Sequence, residues 1–432
     1  MAPFKAQNMS NNSFPCAGGG EIGRSQVAQA EACGVAPEPA MNPVLLKPCG
    51  DSRSQVVLHG KVWRTLEARD YYQHVNFLRD EAMRAYAELA ARFDVVVMEG
   101  AGSVAEINLA GRDFTNLSIA RAVGASSLLV ADIERGGVFA SILGTLDLLS
   151  AEDRATVRCF AVNRFRGDRS LFADGIRILE ERSGLPCLGL FPFAADIQLD
   201  AEDSLCHLQA AGASHPATAI IRFPHISNTT DFRHLGSAAW LQRPIPGQFE
   251  FVILPGTKTT LADLAWLRET GLDAWILRQH DQGAKVIGIC GGYQMLGEAI
   301  ADPTGLDGTP GEHAGLGLLP VQTVMAPEKT TRVRSARTPA GARFTGYEIH
   351  MGITTHREPL PPFATLEDGT HEGARQGRTM GTYLHGALES TEVFRELFGV
   401  IPPASPTDQY DRMADWLEAS AMPEVLSALA GI

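Results

Sequence analysis

Gly288-Ile289-Cys290-Gly291-Gly292 sets one cysteine between glycines where an apolar run meets a helix-like segment, Tyr293-Gln294-Met295-Leu296. The pattern G-x-C-x-G fits a nucleophile elbow, in which a strand ends, the chain turns sharply and a helix begins. A helix N-terminus beside the sulfur favours thiolate over thiol. A thiolate nucleophile needs an imidazole to take and return its proton. His385, in TMGTYLHGAL, ends a later strand-like run and is the first candidate, and His350, in GYEIHMG, is the second. LPGTKTT supplies a strand-to-turn glycine, Gly256, whose neighbourhood could donate an N–H to an oxyanion beside that of Gly291. The same residues admit a plainer account: Cys290 as a small residue packed in a tight turn, and His385 as a solvated strand end. Local pattern leaves both open.

The first half of the chain has polar strand ends of another kind. Glu99 closes VVVMEG and is placed to hold a hard Mg²⁺ beside nucleotide phosphates. Asp132 closes LLVAD in a similar way, and Asn163, in AVNRFRGD, could hydrogen-bond an adenine edge. Each of the three could equally be a helix cap or loop residue. A phosphate-cradling loop is the obvious companion. The nearest match to G-x-x-x-x-G-K-[ST] is Gly18-Gly19-Gly20-Glu21-Ile22-Gly23-Arg24-Ser25, with arginine in place of lysine. Such a loop must leave a buried strand, and the preceding NNSFPCA forms none, so this match reads as a decoy.

The elements that must position these residues are α/β. Short β-branched runs, FDVVVMEGAG, SSLLVADIERGG, VRCFAVNRFRGD and PCLGLFP, alternate with helical patterns at 79–93 and 140–153. Continuous apolar strands between helices indicate a parallel sheet. QAAGASHPATA is small, polar and proline-containing, which reads as a linker. A second α/β series follows in AIIRFP, FEFVILPG, AKVIGICGG, FTGYEIHMG and RTMGTYLHG, with 353–377 expected to be a loop. The last segment carries a helical pattern in WLEASAMPEVLSALAGI with no assignable role.

Composition narrows the classes. With 37 Lys and Arg against 50 Asp and Glu, the net charge of −13 argues against a nucleic-acid surface. Seven scattered cysteines without a C-x-x-C pair argue against a disulfide scaffold or zinc site and fit a reducing cytoplasm. MAPFKAQNMSNNSF has no apolar core of a signal peptide, and no run approaches the ~18 apolar residues of a membrane span.

The elbow, the PG turn and the late histidine together resemble a class I glutamine amidotransferase domain over 219–398. Most members follow the histidine with Pro-Glu, and that glutamate orients it. Here the chain reads His385-Gly386-Ala387, so the orienting group is unknown and Cys290–His385 stands as a dyad. Across nearly the whole chain, PFKAQNMSNNSF, GGEIGRSQVAQAEA, EGAGSVAEINL, ADIERGGVFAS, NRFRGD, PHISNTTDF, ICGGYQMLG, GYEIHMG and GTYLHG resemble the cobyric acid synthase family. PHISNTTDF favours it over the related cobyrinic acid a,c-diamide synthases.

The resemblance implies four segments: a dethiobiotin-synthetase-like, ATP-dependent synthetase domain at 1–210, a linker at 211–218, the amidotransferase domain at 219–398 and a helical tail at 399–432. It implies a ligase of cobalamin biosynthesis, using ATP and Mg²⁺ to amidate corrinoid carboxylates with ammonia from glutamine. Lys5, Gln7, Asn8, Glu21 and Arg24 fall in the family's substrate-side motif. Family members begin further upstream, with a first strand and phosphate loop ahead of the P-F-K-x-Q-N-M segment. The expectation is therefore a chain truncated before its first strand, either by an earlier start codon left out, which the intact later motifs favour, or by a real loss. Three alternatives stay open: a glutaminase-only protein, a binding pseudoenzyme with an impaired ATP site, and the a,c-diamide synthase. Oligomeric state and the ammonia route are not readable from the sequence.

Overall fold

Continuous apolar runs in this chain become parallel strands, fully buried at Thr218–Ile221 and Phe251–Leu254 and partly exposed at Val96–Met98 and Ser127–Asp132. A computed structural model describes residues 1–49, 52–109, 111–194, 197, 217–236, 238–402 and 407–431. Most of the expected linker, 211–216, lies outside them.

In the N-terminal half, β1 (Ala2–Phe4), β2 (Gln7–Met9), β3 (Ser13–Pro15), β4 (Glu21–Gly23), β5 (Val44–Pro48), β6 (Arg53–Leu58), β7 (Lys61–Glu67), β8 (Val96–Met98), β9 (Ser127–Asp132), β10 (Val157–Phe165) and β11 (Cys187–Pro192) form four groups. β1 pairs with β8 in parallel, and β9, β10 and β11 form a parallel sheet. β2, β5, β6 and β7 make a separate sheet, with β2 parallel to β5 and the rest antiparallel. β3 and β4 form an antiparallel hairpin. Gly18–Gly20 is the turn of that hairpin, so the near-match to a phosphate loop does not wrap an anion as such a loop does. The helix Val75–Ala90 buries Val75, Leu78, Ala82, Ala85 and Leu89, an alternating three- and four-residue spacing that puts one face on the core.

In the C-terminal half, β12 (Thr218–Ile221), β13 (Ala239–Leu241), β14 (Phe251–Leu254), β15 (Lys285–Ile289), β22 (Ala374–Gln376) and β23 (Thr379–Thr382) share one sheet in the order β13-β12-β14-β15-β23-β22. All but β22 run parallel. A second sheet holds β16 (Ala299–Asp302), β17 (Gly311–Ala314), β18 (Val321–Arg337), β19 (Arg343–His356), β20 (Ala364–Leu366) and β21 (His371–Glu372).

Two sequence expectations need correction here. FTGYEIHMG belongs to β19, which pairs antiparallel with β18 in a long ribbon and does not continue the parallel series. The alternation of buried and exposed residues along β19 is that of a two-faced antiparallel strand. The stretch expected to be a loop, 353–377, holds the end of β19 and the short strands β20, β21 and β22. Their Gly, Pro and charged residues sit at the tight turns and edges between them.

The C-terminal tail folds back on the first half. Helices Thr407–Glu418 and Pro423–Ala430 lie near β10 and β11, where the Trp416 indole donates to Pro192 O at 3.0 Å. Trp416, Val425 and Leu429 pack on buried Cys159, Leu188 and Phe191.

Register places the chemistry. Ile289, the last residue of β15, lies beside Thr382, the last of β23, and Gly288 lies beside Leu254 at the end of β14. Cys290, His385 and Gly256 therefore all leave adjacent parallel strands at one carboxyl edge, where ligands of such sheets bind. The elbow helix Gly291–Leu296 is pressed against β14: a Cβ at Gly292 would stand 2.0 Å from Leu254 O. Gly292→Ala should destabilise the protein by about 3 kcal/mol or more, read as a fall in the denaturant midpoint. A change below about 0.5 kcal/mol would contradict this packing.

Candidate active site

Cys290 itself has φ +52°, a left-handed conformation that a side chain adopts only at a cost held by its surroundings. The strain aims the sulfur off the strand end while the next residue starts a helix. The Cys290 N–H is held by Thr382 O at 2.8 Å, and Sγ lies 3.5 Å from Ile349 O on β19. Cys290 is buried, as is its neighbour His385, which is fully shielded. A Cβ at Gly256 would be 2.7 Å from His385 Cε1, 3.3 Å from Nε2 and 3.6 Å from Cys290 Cβ. Glycine is therefore required where the PG turn passes the thiol and the imidazole. The Gly291 N–H lies in the first turn of the elbow helix, where a backbone donor has no helical acceptor four residues back.

What orients His385 is Asp231. Its Oδ2 lies 2.7 Å from His385 Nδ1, and its Oδ1 accepts the Gly386 N–H at 2.5 Å. Both side chains are shielded from water, at 0% and 1% exposure, so neither can exchange the other for solvent. That leaves Nε2 as the ring nitrogen on the Gly256 and Cys290 side, buried and without a hydrogen-bond partner. Burial alone would depress the imidazolium, but the Asp231 carboxylate, by charge and hydrogen bond, and the Cys290 thiol outweigh it and raise His385 to about 10. Tyr347 stacks on the imidazole with ring centroids 5.2 Å apart, and the two residues exchange backbone hydrogen bonds. His350, the second candidate base, stacks on Tyr383 at 3.8 Å and turns Nδ1 to Gly352 O.

The PG turn has its own buttress. Asp263 binds His225 Nδ1 at 2.8 Å and also accepts from the Thr257 hydroxyl, while Lys258 N–H donates to His225 O. Local sequence pattern marks neither Asp231 nor Asp263. Asp231 lies in PHISNTTDF, and 154 residues separate it from His385.

In the N-terminal half, Glu99 follows β8. Its carboxylate accepts from Lys5 Nζ at 3.0 Å and from the Gln29 and Gln26 amides at 2.7 and 3.3 Å. With the side chain 39% exposed, this strand-end carboxylate fits a Mg²⁺ ion that keeps most of its waters. Asp132 fits less well, since Arg135 and Arg164 lie 3.8 and 3.7 Å away and Glu134 N–H donates to it. Asn163 sits opposite Asp132 in register and accepts from Arg164 N–H. Among the described residues no group of three or more His, Cys, Asp or Glu gathers as a metal cage.

Lys5 thus stands at Glu99, and Gln7, bonded to the Tyr71 hydroxyl, lines a cavity of about 450 Å³. Asn8 is buried against Gln26 and Ser25. Glu21 is buried in an ion-pair cluster with Lys47, at 2.9 Å, and Lys329. Arg24 reaches Glu31 at 3.4 Å and lies over the Phe14 ring.

Comparison with known proteins adds the following. Residues 217–393 match the model of the CobB/CobQ-like glutamine amidotransferase domain, and 65–200 match an AAA domain. The chain is 45% identical to the cobyric acid synthase of Mycolicibacterium gilvum, over all of this chain and 90% of that one. It is 44% identical to the cobyric acid synthase of Mycobacterium ulcerans, over 100% and 90%, and 43% identical to that of Cereibacter sphaeroides, over 100% and 93%. Among solved structures, a glutamine amidotransferase superposes with TM-score 0.35 at 20% identity, covering 43% of this chain and all of the other. One from Thermotoga maritima superposes with TM-score 0.29 at 15% identity, covering 50% and 99%.

Because His385 is raised from its ordinary 6.5 to about 10, its pairing contributes fully to stability at low pH and is lost as pH rises through about 10. Asp231→Asn should lower the unfolding midpoint most below about pH 6.5, with the gap from the parent closing toward about pH 10. A gap that widens with pH would refute the assignment.

Proposed function

The chain belongs to the cobyric acid synthase family of glutamine-dependent amide ligases in cobalamin synthesis, and on that footing we propose the following reaction for it. The protein amidates the b, d, e and g side-chain carboxylates of adenosylcobyrinic acid a,c-diamide, giving adenosylcobyric acid, with ammonia from glutamine and ATP as the activating substrate. The observation that carries this reading is the thiol, imidazole and carboxylate of Cys290, His385 and Asp231 at one sheet edge, joined to a second α/β half.

Cys290 sulfur attacks the side-chain amide carbon of glutamine, and the oxygen that takes up the charge faces the N–H groups of Gly291 and the Gly256 turn. His385 Nε2 holds the thiol proton and delivers it to the nitrogen as the carbon–nitrogen bond breaks, releasing ammonia. Water, deprotonated by the same nitrogen, then attacks the thioester carbon and releases glutamate. Asp231 keeps Nδ1 protonated and the ring oriented throughout, as the third member of such a triad does.

In the other half, bound Mg²⁺ and ATP would supply the phosphoryl group that makes the acceptor carboxylate an electrophile. Glu99 would hold the cation, with Asp132 at the neighbouring strand end, while Lys5 offsets charge beside Glu99 and Asn163 meets the nucleotide. Gln7, Asn8, Glu21 and Arg24 belong to the acceptor side, with Gln7 on the large cavity. The reaction belongs in the cytoplasm, which accords with the unpaired cysteines among the described residues.

The test supplies glutamine, Mg-ATP and the corrin a,c-diamide and follows glutamate and corrin mass together. Stepwise amidation with equivalent glutamate release is expected. Cys290→Ala should cut glutamine-dependent amidation by roughly 10³-fold or more while ammonium salts still support it. Glutamate release with an unchanged corrin would replace this reading with a glutaminase. Amidation confined to the a and c positions of cobyrinic acid would replace it with the a,c-diamide synthase.

A further inference from the structure

The hairpin that mimics a phosphate loop in sequence sits behind the imidazole of the other half. Asn12, just ahead of β3, is fully buried, and its Oδ1 accepts the Asn228 N–H at 2.7 Å. Asn228 returns the contact, accepting the Ser13 N–H through its own Oδ1 at 3.0 Å. Asn228 has φ +55° and caps the short helix Thr229–Leu235, which carries Asp231. The reciprocal pair thus holds the strained residue that starts the turn presenting Asp231 to His385.

A second contact reaches the same ring from its face. Phe14, on β3, packs on Tyr347 with centroids 4.6 Å apart, and Tyr347 stacks on His385. One line of contact from the N-terminal half reaches Asn228, which starts the turn carrying Asp231, and the other reaches Tyr347, which stacks on the imidazole. Glu21, on β4, clamps the hairpin to β18 through Lys329. At its other end the hairpin runs directly into the helix Arg24–Ala32, whose Gln26 and Gln29 bind Glu99. An unbroken series of bonded side chains and one rigid hairpin therefore joins the Glu99 carboxylate to His385.

We propose that Asn12 and Phe14 are positioning residues for His385, so that the acceptor half completes the glutamine-hydrolysing centre and ties ammonia release to its own state. This rests on the reading of that centre as a glutaminase. A hairpin that served docking alone would have no reason to touch both supports of the imidazole. Loosening it frees the Asn228 turn and tilts the ring, which leaves glutamine binding intact and slows proton transfer.

The full chain is assayed for glutamine hydrolysis, and separately for the rate of Cys290 alkylation by iodoacetamide against pH. Asn12→Ala and Phe14→Leu should lower kcat about 10-fold with KM within about twofold. Their alkylation profiles should differ from the parent's. Phe14→Tyr, which keeps the ring, should keep the parent rate. Asn12→Ala added to Asp231→Asn should cost no more than Asp231→Asn alone, because both act through one ring. Folded Asn12→Ala and Phe14→Leu proteins with parental kcat and alkylation profile would overturn the proposal, as would losses that multiply with Asp231→Asn. If Asn12→Ala fails to fold, the contrast between Phe14→Leu and Phe14→Tyr decides. A parent chain that hydrolyses no glutamine would refute the functional reading, and the alkylation profiles would still decide this one.

Discussion

A charged imidazole and a carboxylate, both withdrawn from water, set the terms for the C-terminal half. The His385–Asp231 pair is affordable in a low-dielectric interior only because each remaining polar atom is satisfied or given a task. One carboxylate oxygen takes the ring N–H and the other the Gly386 N–H, and the free ring nitrogen is left for the sulfur. The strained Cys290, the close-passing Gly256 and the Tyr347 stack are arranged around that pair. A ring free to rotate would lose both the Asp231 contact and the Tyr347 stack.

The two halves meet through groups that are expensive to bury alone. Glu21 is 1% exposed, yet Lys47, Lys329 and the Ser13 hydroxyl surround it, and against the burial penalty the two lysine ammonium groups hold its carboxyl far below the ordinary carboxylate range. Burial pushes Lys47 down to about 7, with Glu21 opposing. Such clusters add little net stability, because desolvation offsets most of the attraction. They do penalise any docking that leaves one member unpaired, and so specify one seating of the hairpin on β18 and β19.

Much of the fold and part of the site were legible in the sequence for local reasons. Apolar runs ending in glycine or acid marked the parallel strands, and the glycine-flanked cysteine marked the elbow, because both are short-range patterns. The antiparallel pairing of β19 was not legible: its run of residues looks like any other strand, and its pairing direction depends on a partner elsewhere in the chain. The strands within 353–377 were not legible either, because turn-forming residues between two-residue and three-residue strands resemble a loop. The residues before the glycine run at 18–20 do form a short strand, Ser13–Pro15, against the expectation for NNSFPCA, but it pairs antiparallel with β4, so the glycines make a hairpin turn and not a strand-to-helix phosphate loop.

By itself the sequence determined the α/β class, the cysteine elbow, a candidate histidine for it and the family, because each is encoded in adjacent residues or contiguous strings. It could not determine what orients the histidine. Asp231 meets His385 because β12 and β23 belong to one sheet and Asn228 turns the chain back, contacts that exist only once strand order and register are set. Nor could it determine that a hairpin from the first half stands behind that ring, where Asn12 and Phe14 meet their partners across the interface between halves. Those decisions belong to the tertiary structure, since hydrogen bonds and ring contacts act over a few ångströms, whatever the distance along the chain.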